Sequence, residues 1–421
     1  MEAYVAALNY AIPFFMALLL IEIWVAHRKK AQVIRSMDTL ASLSSGLTNS
    51  IKDVLGLTVV ILSYQWVEAR VGLFDIEATW YVYVIAFIGI DFAAYWDHRL
   101  QHHVNYFWNH HIIHHSSEEF NLGCALRQTI SAWFSLGFLF LFPIALLGVP
   151  PEVIAVVQPL HLFAQYWYHT RLIDRMGFLE KIIVTPSHHR VHHAINEQYL
   201  DKNLSAIFII WDKWFGTFQE ELKDVPPVYG VKRPVRTWNP ILINFQHLWQ
   251  LIQDAWHARS YWDKLRIWFM PTGWRPEDVA KNYPIEVIKD VYAYEKYDPY
   301  SSLALKVWSW AQLIITFGTM MYMFNSLTIL PFQSALMLGL FLVVSIFSYT
   351  MLMDRHNYAL TVESIRVVLG IILFWANDWF LLSTHLPGAE FGIIAYLALS
   401  WVSCFYFMKI EKPAEVSKVL A

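Results

Sequence analysis

Two cysteines in 421 residues, Cys124 and Cys404, are too few and too far apart for a disulfide framework or a thiolate metal site. Charge is scarce as well. Asp, Glu, Lys and Arg make up 15% of the chain, against about 25% in an ordinary soluble domain. A net charge of −3, with no dense basic stretch interleaved with aromatics, excludes a nucleic-acid partner. There is no His-Glu-x-x-His string, which removes the common zinc-protease reading, and no Glu-x-x-His, which removes the carboxylate di-iron bundle. A Walker A loop, a Cys-x-x-Cys-His haem attachment site, internal repeats and low-complexity linkers are also missing.

What the chain has is apolar length. It is 57% hydrophobic and 17% aromatic, and it reads as an all-α, polytopic integral membrane protein. Residues 4–25 are long enough to span and are followed by His27, Arg28, Lys29 and Lys30. With no basic leader and no small-residue cleavage site, this reads as a retained anchor whose basic end is expected on the cytoplasmic side. Apolar stretches at 54–69 and 79–97 would run out and back, delivering His98 to the cytoplasmic face. Residues 130–149 and 152–169 read as an up-and-down hairpin broken by Pro150 and Pro151, which returns His169 to the same side. Residues 216–300 hold no span. They read as a cytoplasmic module, partly interfacial through Trp238, Trp249, Trp256, Trp262, Trp268 and Trp274. Four more spans are expected over 303–408, with Lys409 and Lys412 at a cytoplasmic C-terminus. The resulting divisions are 1–78 (N-terminal spans), 79–220 (catalytic core), 221–302 (interfacial module) and 303–421 (C-terminal spans).

Against this background stand 18 histidines, thirteen of them between His98 and His193. They fall in three clusters: His98 and His102; His111, His114 and His115; His189, His192 and His193. Residues three and four apart share a helix face, so each cluster presents two or three imidazoles to one point. Neutral imidazole suits iron, copper, zinc or nickel. Eight ligands are too many for one ion, so the expectation is a dimetal site facing the cytoplasm. His169 and His161 would complete it, since 161, 165 and 169 follow a four-residue stripe. His103, His110 and His188 sit beside the pattern, while the isolated His27, His247, His257, His356 and His385 read as surface, interfacial or capping residues.

Ligating imidazoles need partners for their second nitrogen. Asp91 lies seven residues before His98, inside an apolar run where a charge is costly, and is the prime carboxylate. Glu118, Glu119, Asp201 and Asp212 follow the second and third clusters. Thr185-Pro186 reads as the N-cap and first residue of the helix carrying the third cluster. A metal transporter would spread its ligands through several membrane depths. Here they bunch at one predicted end.

The strings DFAAYWDHRLQH (91–102), HHSSEEFNLGCALRQ (114–128), QYWYHT (165–170), TPSHHRVHH (185–193) and DKNLSAIFIIWDKWFGTF (201–218) resemble the fatty acid hydroxylase and sterol desaturase superfamily. Within it they are most similar to the alkylglycerol monooxygenases. The likeness continues through Tyr229-Gly230 and Asn239-Pro240 to MDRHNYALTVESIRVVLG (353–370), in a C-terminal block that shorter members lack. The resemblance implies two non-haem iron ions, O2, and an external reductant such as tetrahydrobiopterin or another reduced pterin. It implies that the carbon beside an ether oxygen of a bilayer lipid is hydroxylated, giving a hemiacetal that separates into aldehyde and glycerol. It also gives Glu118 a role near the metal or pterin. A fatty acyl, sterol or aminolipid hydroxylase or desaturase of the same superfamily is the alternative, because the histidines alone do not choose the substrate.

Overall fold

A computed structural model of the chain describes residues 2–57, 59–60, 63–132, 134–135, 137–376 and 388–411. His385 and Lys412 lie outside them. The first helix, α1 (Glu2–Lys29), contains an apolar run over Asn9–Lys29 that is long enough to cross a bilayer and keeps Leu20, Ile21 and Trp24 exposed. α2 (Ser36–Val54) is unexpected. Its sequence is rich in Ser, Thr and Asn, yet most of it is buried. The hydroxyls of Thr39, Ser42 and Ser44 bond to carbonyls four residues back at 2.7–3.0 Å, so they enter the interior with their hydrogen bonds made. Leu40, Leu43, Leu47 and Ile51 then pack against the C-terminal helices in the largest core.

Three expected spans, 54–69 and the two arms of the hairpin, are not spanning helices among the described residues. The stretch 54–69 ends α2, passes through a two-residue strand (Val59–Val60) and begins α3 (Tyr64–Val71). α4 (Trp80–His103) is continuous and carries His98 and His102 in its last two turns. After the short α5 (Asn105–Trp108) and α6 (Ile112–His115), the hairpin consists of α7 (Gly137–Leu147) and α8 (Pro151–Phe163). At 1.5 Å per residue these reach only about 16 and 20 Å, short of the ~30 Å hydrocarbon core. The break between them is enforced by Gly148 (φ +82°), where a Cβ would lie 1.9 Å from the Phe74 carbonyl oxygen, and by Pro150-Pro151. α7 and α8 instead pack against α4 around Ala86, Ile90, Ile144, Val153 and Val157. The strand pair Val59–Val60 with Phe134–Ser135 is parallel and supplies the only strands among the described residues.

The third histidine cluster rides on α9 (Pro186–His192), begun by Thr185 and Pro186 as expected, and is followed by α10 (Ile210–Phe215). α11 (Pro240–His257) is capped by Asn239, whose side chain accepts from the N–H of Ile241 and Leu242. α12 (Tyr261–Arg266) and α13 (Glu277–Asn282) complete the polar module. Four long helices close the described chain: α14 (Leu303–Ser326), α15 (Phe332–Met353), α16 (Ala359–Ala376) and a last one, Ala389–Phe405. Phe332–Met353 and Glu390–Ile410 are, with Asn9–Lys29, the three described segments apolar and long enough to cross a membrane. The four C-terminal helices share a buried polar network. Arg366 pairs with Glu363 at 2.6 Å, Glu363 accepts from Ser348, and Tyr396 donates to Gln312.

One end of the helix bundle collects the connections. Lys29 at the end of α1 donates to the Leu172 carbonyl, Trp238 N–H to Asp354 just past α15, and Arg355 to the Phe407 carbonyl in the turn after the last helix. α11 lies across this end. Its N-cap Asn239 donates to the Phe347 carbonyl of α15, and His247 meets the Asn105 carbonyl beyond α4.

Candidate metal centre

At this end, His98, His102, His111, His115 and His192 form one group, and His114, His169, His189 and His193 form a second. Within each group one ring nitrogen per residue lies within 4.8 Å of every other. The sequence pattern is refined in one respect. Clusters two and three do not each aim at a single point. His111 and His115 serve one group and His114 the other; His189 and His193 serve one and His192 the other. Adjacent histidines on a helix diverge by about 100°, so each His-His pair feeds both groups. The groups touch through His115 and His193, stacked with centroids 4.3 Å apart.

The donor set fits metal ions. The Nε2 atoms of His98 and His111 are 2.8 Å apart, those of His115 and His192 3.0 Å, of His169 and His189 2.8 Å, and of His189 and His193 3.0 Å. Two imidazoles about 2.1 Å from a shared ion at right angles would be spaced by about 3 Å. Protons alone serve such a cluster poorly, since a facing pair shares one proton, and buried His102 Nε2 has no hydrogen-bond partner. Burial, reinforced by neighbouring imidazoles, holds His111, His114, His115, His189, His192 and His193 well below the usual histidine range. Burial alone brings His169 to about 3. All seven are therefore neutral at pH 7, the form that ligates.

The outer nitrogens are held by the chain. His98 Nδ1 faces the Leu204 carbonyl at 2.7 Å, His102 Nδ1 faces Asp201 Oδ1 at 3.1 Å, His192 Nδ1 faces the Lys202 carbonyl at 3.1 Å, and His169 Nδ1 faces the Gln165 carbonyl at 3.0 Å. Aromatic walls enclose the groups. Phe120 stacks on Tyr229 at 5.1 Å and leans on His193, Tyr168 covers His189 at 4.4 Å, and Trp108 covers His102 at 5.2 Å.

Several expected residues sit elsewhere. His161 belongs to neither group; α8 stops at Phe163, so the 161–165–169 stripe is broken and His169 arrives on the following turn. His161 Nε2 instead meets Asp91 Oδ1 at 2.7 Å. Asp91 also accepts from the N–H groups of Ile207 and Phe208 and from the Trp211 indole, and so ties α4 to α8 and to the start of α10 without touching a clustered histidine. Glu118 accepts from Tyr294 OH at 2.6 Å and Tyr297 N–H at 2.7 Å, and Glu119 pairs with Arg171 and Lys296. Both carboxylates anchor the segment before α14. Asp212 clamps the N–H groups of Leu204 and Ser205. His188 caps α9 with its Nδ1 facing Thr185 N–H, His103 is exposed, and His110 packs on Tyr106.

Sequence spacing did not point to the buried Arg127–Asp38 pair (2.8 Å), which also binds Ser117 and Ser116 directly behind His115. An arginine in an otherwise uncharged stretch was its only signal. Phe120, Tyr168 and Tyr229 lie inside the quoted motifs, but nothing in their spacing marks them as walls of the site.

The Fatty acid hydroxylase family model matches residues 83–217, which contain all nine grouped histidines. The chain is 33% identical to the alkylglycerol monooxygenase of Homo sapiens over 371 residues, 86% of this chain and 81% of that protein. It is 34% identical to the alkylglycerol monooxygenase of Xenopus tropicalis (86% and 80% covered) and 32% identical to that of Danio rerio (94% and 87% covered). No solved structure matches it. Similarity at this level across 80% or more of both partners, with the hydroxylase domain enclosing the paired histidine groups, makes the chain a member of the alkylglycerol monooxygenase family within the fatty acid hydroxylases.

Proposed function

We propose that the protein is a membrane monooxygenase that uses two iron ions and O2 to hydroxylate the ether-linked carbon of an alkylglycerol, releasing a fatty aldehyde. The observation that carries this reading is the pairing of five and four imidazoles in contact at one end of a membrane bundle, in a chain similar to alkylglycerol monooxygenases along most of its length. Iron bound there supplies O2 activation, with electrons from an external reductant such as a tetrahydropterin. The chain's own groups do the rest. The nine neutral imidazoles would hold the metals, backbone carbonyls and Asp201 fix the rings of His98, His102, His169 and His192, and Phe120, Tyr168, Tyr229 and Trp108 wall the groups with apolar surface that would limit water. Once the hydroxyl is in place, collapse of the hemiacetal needs only transfer of its proton to the departing glycerol oxygen.

Charge supports one placement relative to the membrane. The histidine end is also the end of α1 that carries His27, Arg28 and Lys29, and the end that carries Lys409, which supports a cytoplasmic site. Trp249, Trp256 and Trp262 project from the polar module with Tyr261, Leu265 and Phe269, while Trp238 is buried. An amphipathic α11 lying across the bundle end, with aromatics outward and Lys264 and Arg266 beside them, supports a module seated in the headgroup layer.

The test is direct. Purified, iron-loaded protein is incubated with an alkylglycerol, O2 and tetrahydropterin, and fatty aldehyde is measured. Aldehyde formation dependent on all three is expected; a folded, iron-loaded protein that yields none while oxidising another lipid overturns the substrate assignment.

A further inference from the structure

Three of the five imidazoles in the larger group lean on one stretch of four residues. Asp201 takes His102 through its carboxylate, Lys202 takes His192 through its carbonyl, and Leu204 takes His98 through its carbonyl. The backbone explains how one short stretch reaches three rings. Asp201 and Asn203 adopt φ of 56° and 53°, left-handed conformations that aim the carbonyls of Lys202 and Leu204 at the same side as the Asp201 carboxylate. Such conformations persist only where the surroundings over-determine them. Here they do: fully buried Asn203 donates to the carbonyls of His188 and Gln219 and accepts from Gln219 N–H. Asp212 clamps Leu204 N–H at 2.7 Å and Ser205 N–H at 2.9 Å, and takes Thr217 Oγ1 at 2.6 Å. The stretch is thus braced from behind by groups outside the histidine cluster.

The four-histidine group has no counterpart. His169 bonds to a carbonyl of its own turn, and His189 Nδ1 is buried without a partner. Among the described residues, two histidine–carboxylate pairs form, His102–Asp201 and His161–Asp91, and the second lies outside both groups. A carboxylate on the outer nitrogen raises the basicity of the ligating one. We propose that Asp201–Leu204 is a positioning arm for the five-histidine site alone, and that Asp201, acting through His102, makes the metal held there bind more tightly and sit in a more electron-rich field than its neighbour.

This rests on the reading that both groups hold iron, and the experiment separates the two. Wild type, D201N and D201G are loaded with iron-57 and examined by Mössbauer spectroscopy, together with competition for iron by a chelator. D201N keeps the shape and the left-handed backbone but loses the charge; D201G keeps the backbone and loses the acceptor as well. The Asp201 side chain is 48% exposed, so both variants retain a foldable interior. Two doublets are expected in wild type, with one of them altered in D201N and D201G while the other stays put. Affinity of the altered site should fall about 10–100-fold. Doublets unchanged in both variants, or both doublets shifted alike, overturn the arm's selectivity. A wild type that takes up no iron overturns the parent reading and the inference with it.

Discussion

His192→Ala and His193→Ala remove adjacent side chains that face different groups. Each is expected to take bound iron from about two per chain to about one, measured by metal analysis, and to lower turnover by more than the roughly 10–100-fold that loss of an outer partner costs. His110→Ala, lacking any place in either group, should leave iron unchanged; loss of iron there would overturn the division. Acid acts on other buried histidines too, inside and outside the groups. Histidine ionises near 6.5 in an unfolded chain, whereas burial puts His169 at about 3 and His188 and His247 at about 4. Between those values the unfolded state binds more protons, so stability is complete above pH 6.5 and declines as pH falls toward 4. The slope is about 1.4 kcal/mol per pH unit for each such histidine. Thermal unfolding of metal-free protein from pH 8 to pH 5 reads this directly, and a flat profile would contradict it. The spacing of histidines in the sequence named all nine that converge, together with His161, which does not. It could not tell that His114 and His115 part company, because that depends on helix phase, nor that Asp91 turns to His161, because α8 ends at a turn that apolar composition does not mark.

α2 shows how an element escapes a hydropathy reading. Its serines and threonines lower the mean hydropathy below that of an ordinary interior helix, yet they are satisfied within the helix itself and by Tyr349, so burial costs little. Its Asp38 meets Arg127 with both side chains almost wholly enclosed. Arg127→Met leaves a carboxylate buried with only Ser117 as a side-chain partner and should destabilise the protein by about 3–5 kcal/mol. Pairing it with Asp38→Leu should recover much of the loss, as thermal melts in detergent would show. α7 and α8 make the complementary point. Their composition is that of spanning helices, but Gly148 and the prolines divide the run, and the pieces fold back on α4. Glu118→Ala acts on a third element by releasing Tyr294 and Tyr297. Faster amide exchange over residues 290–300, with iron retained, is the expected outcome, and loss of iron would instead return Glu118 to the metal.

At the scale of the molecule, the proposed seating in the headgroup layer gives the exposed aromatics of α11 and α12 the task of setting how the histidine end would meet the bilayer. Trp256 is 80% and Trp262 64% exposed, well beyond what a protein surface bathed only in water favours for such large rings. W256E combined with W262E should raise the apparent KM for alkylglycerol presented in vesicles several-fold, while iron content and unfolding temperature hold. An unchanged KM would mean that these rings do not touch lipid. The four C-terminal helices were legible as apolar runs, but the Glu363–Arg366 network joining them was not, since two charges in an apolar stretch do not announce their partners. The division of each His-His pair between the two groups also has a consequence in time. Neither metal pocket exists in any single stretch of the chain: the five-histidine pocket draws on residues from His98 to His192, and its arm ends at Leu204, 106 residues after His98. At a synthesis rate of about 5–20 residues per second, roughly 5–20 s separate the first ligand from the last support. Through that interval the nascent protein carries imidazoles whose partners have yet to be made. Both pockets are completed only by residues near the end of this region, so metal insertion follows its translation.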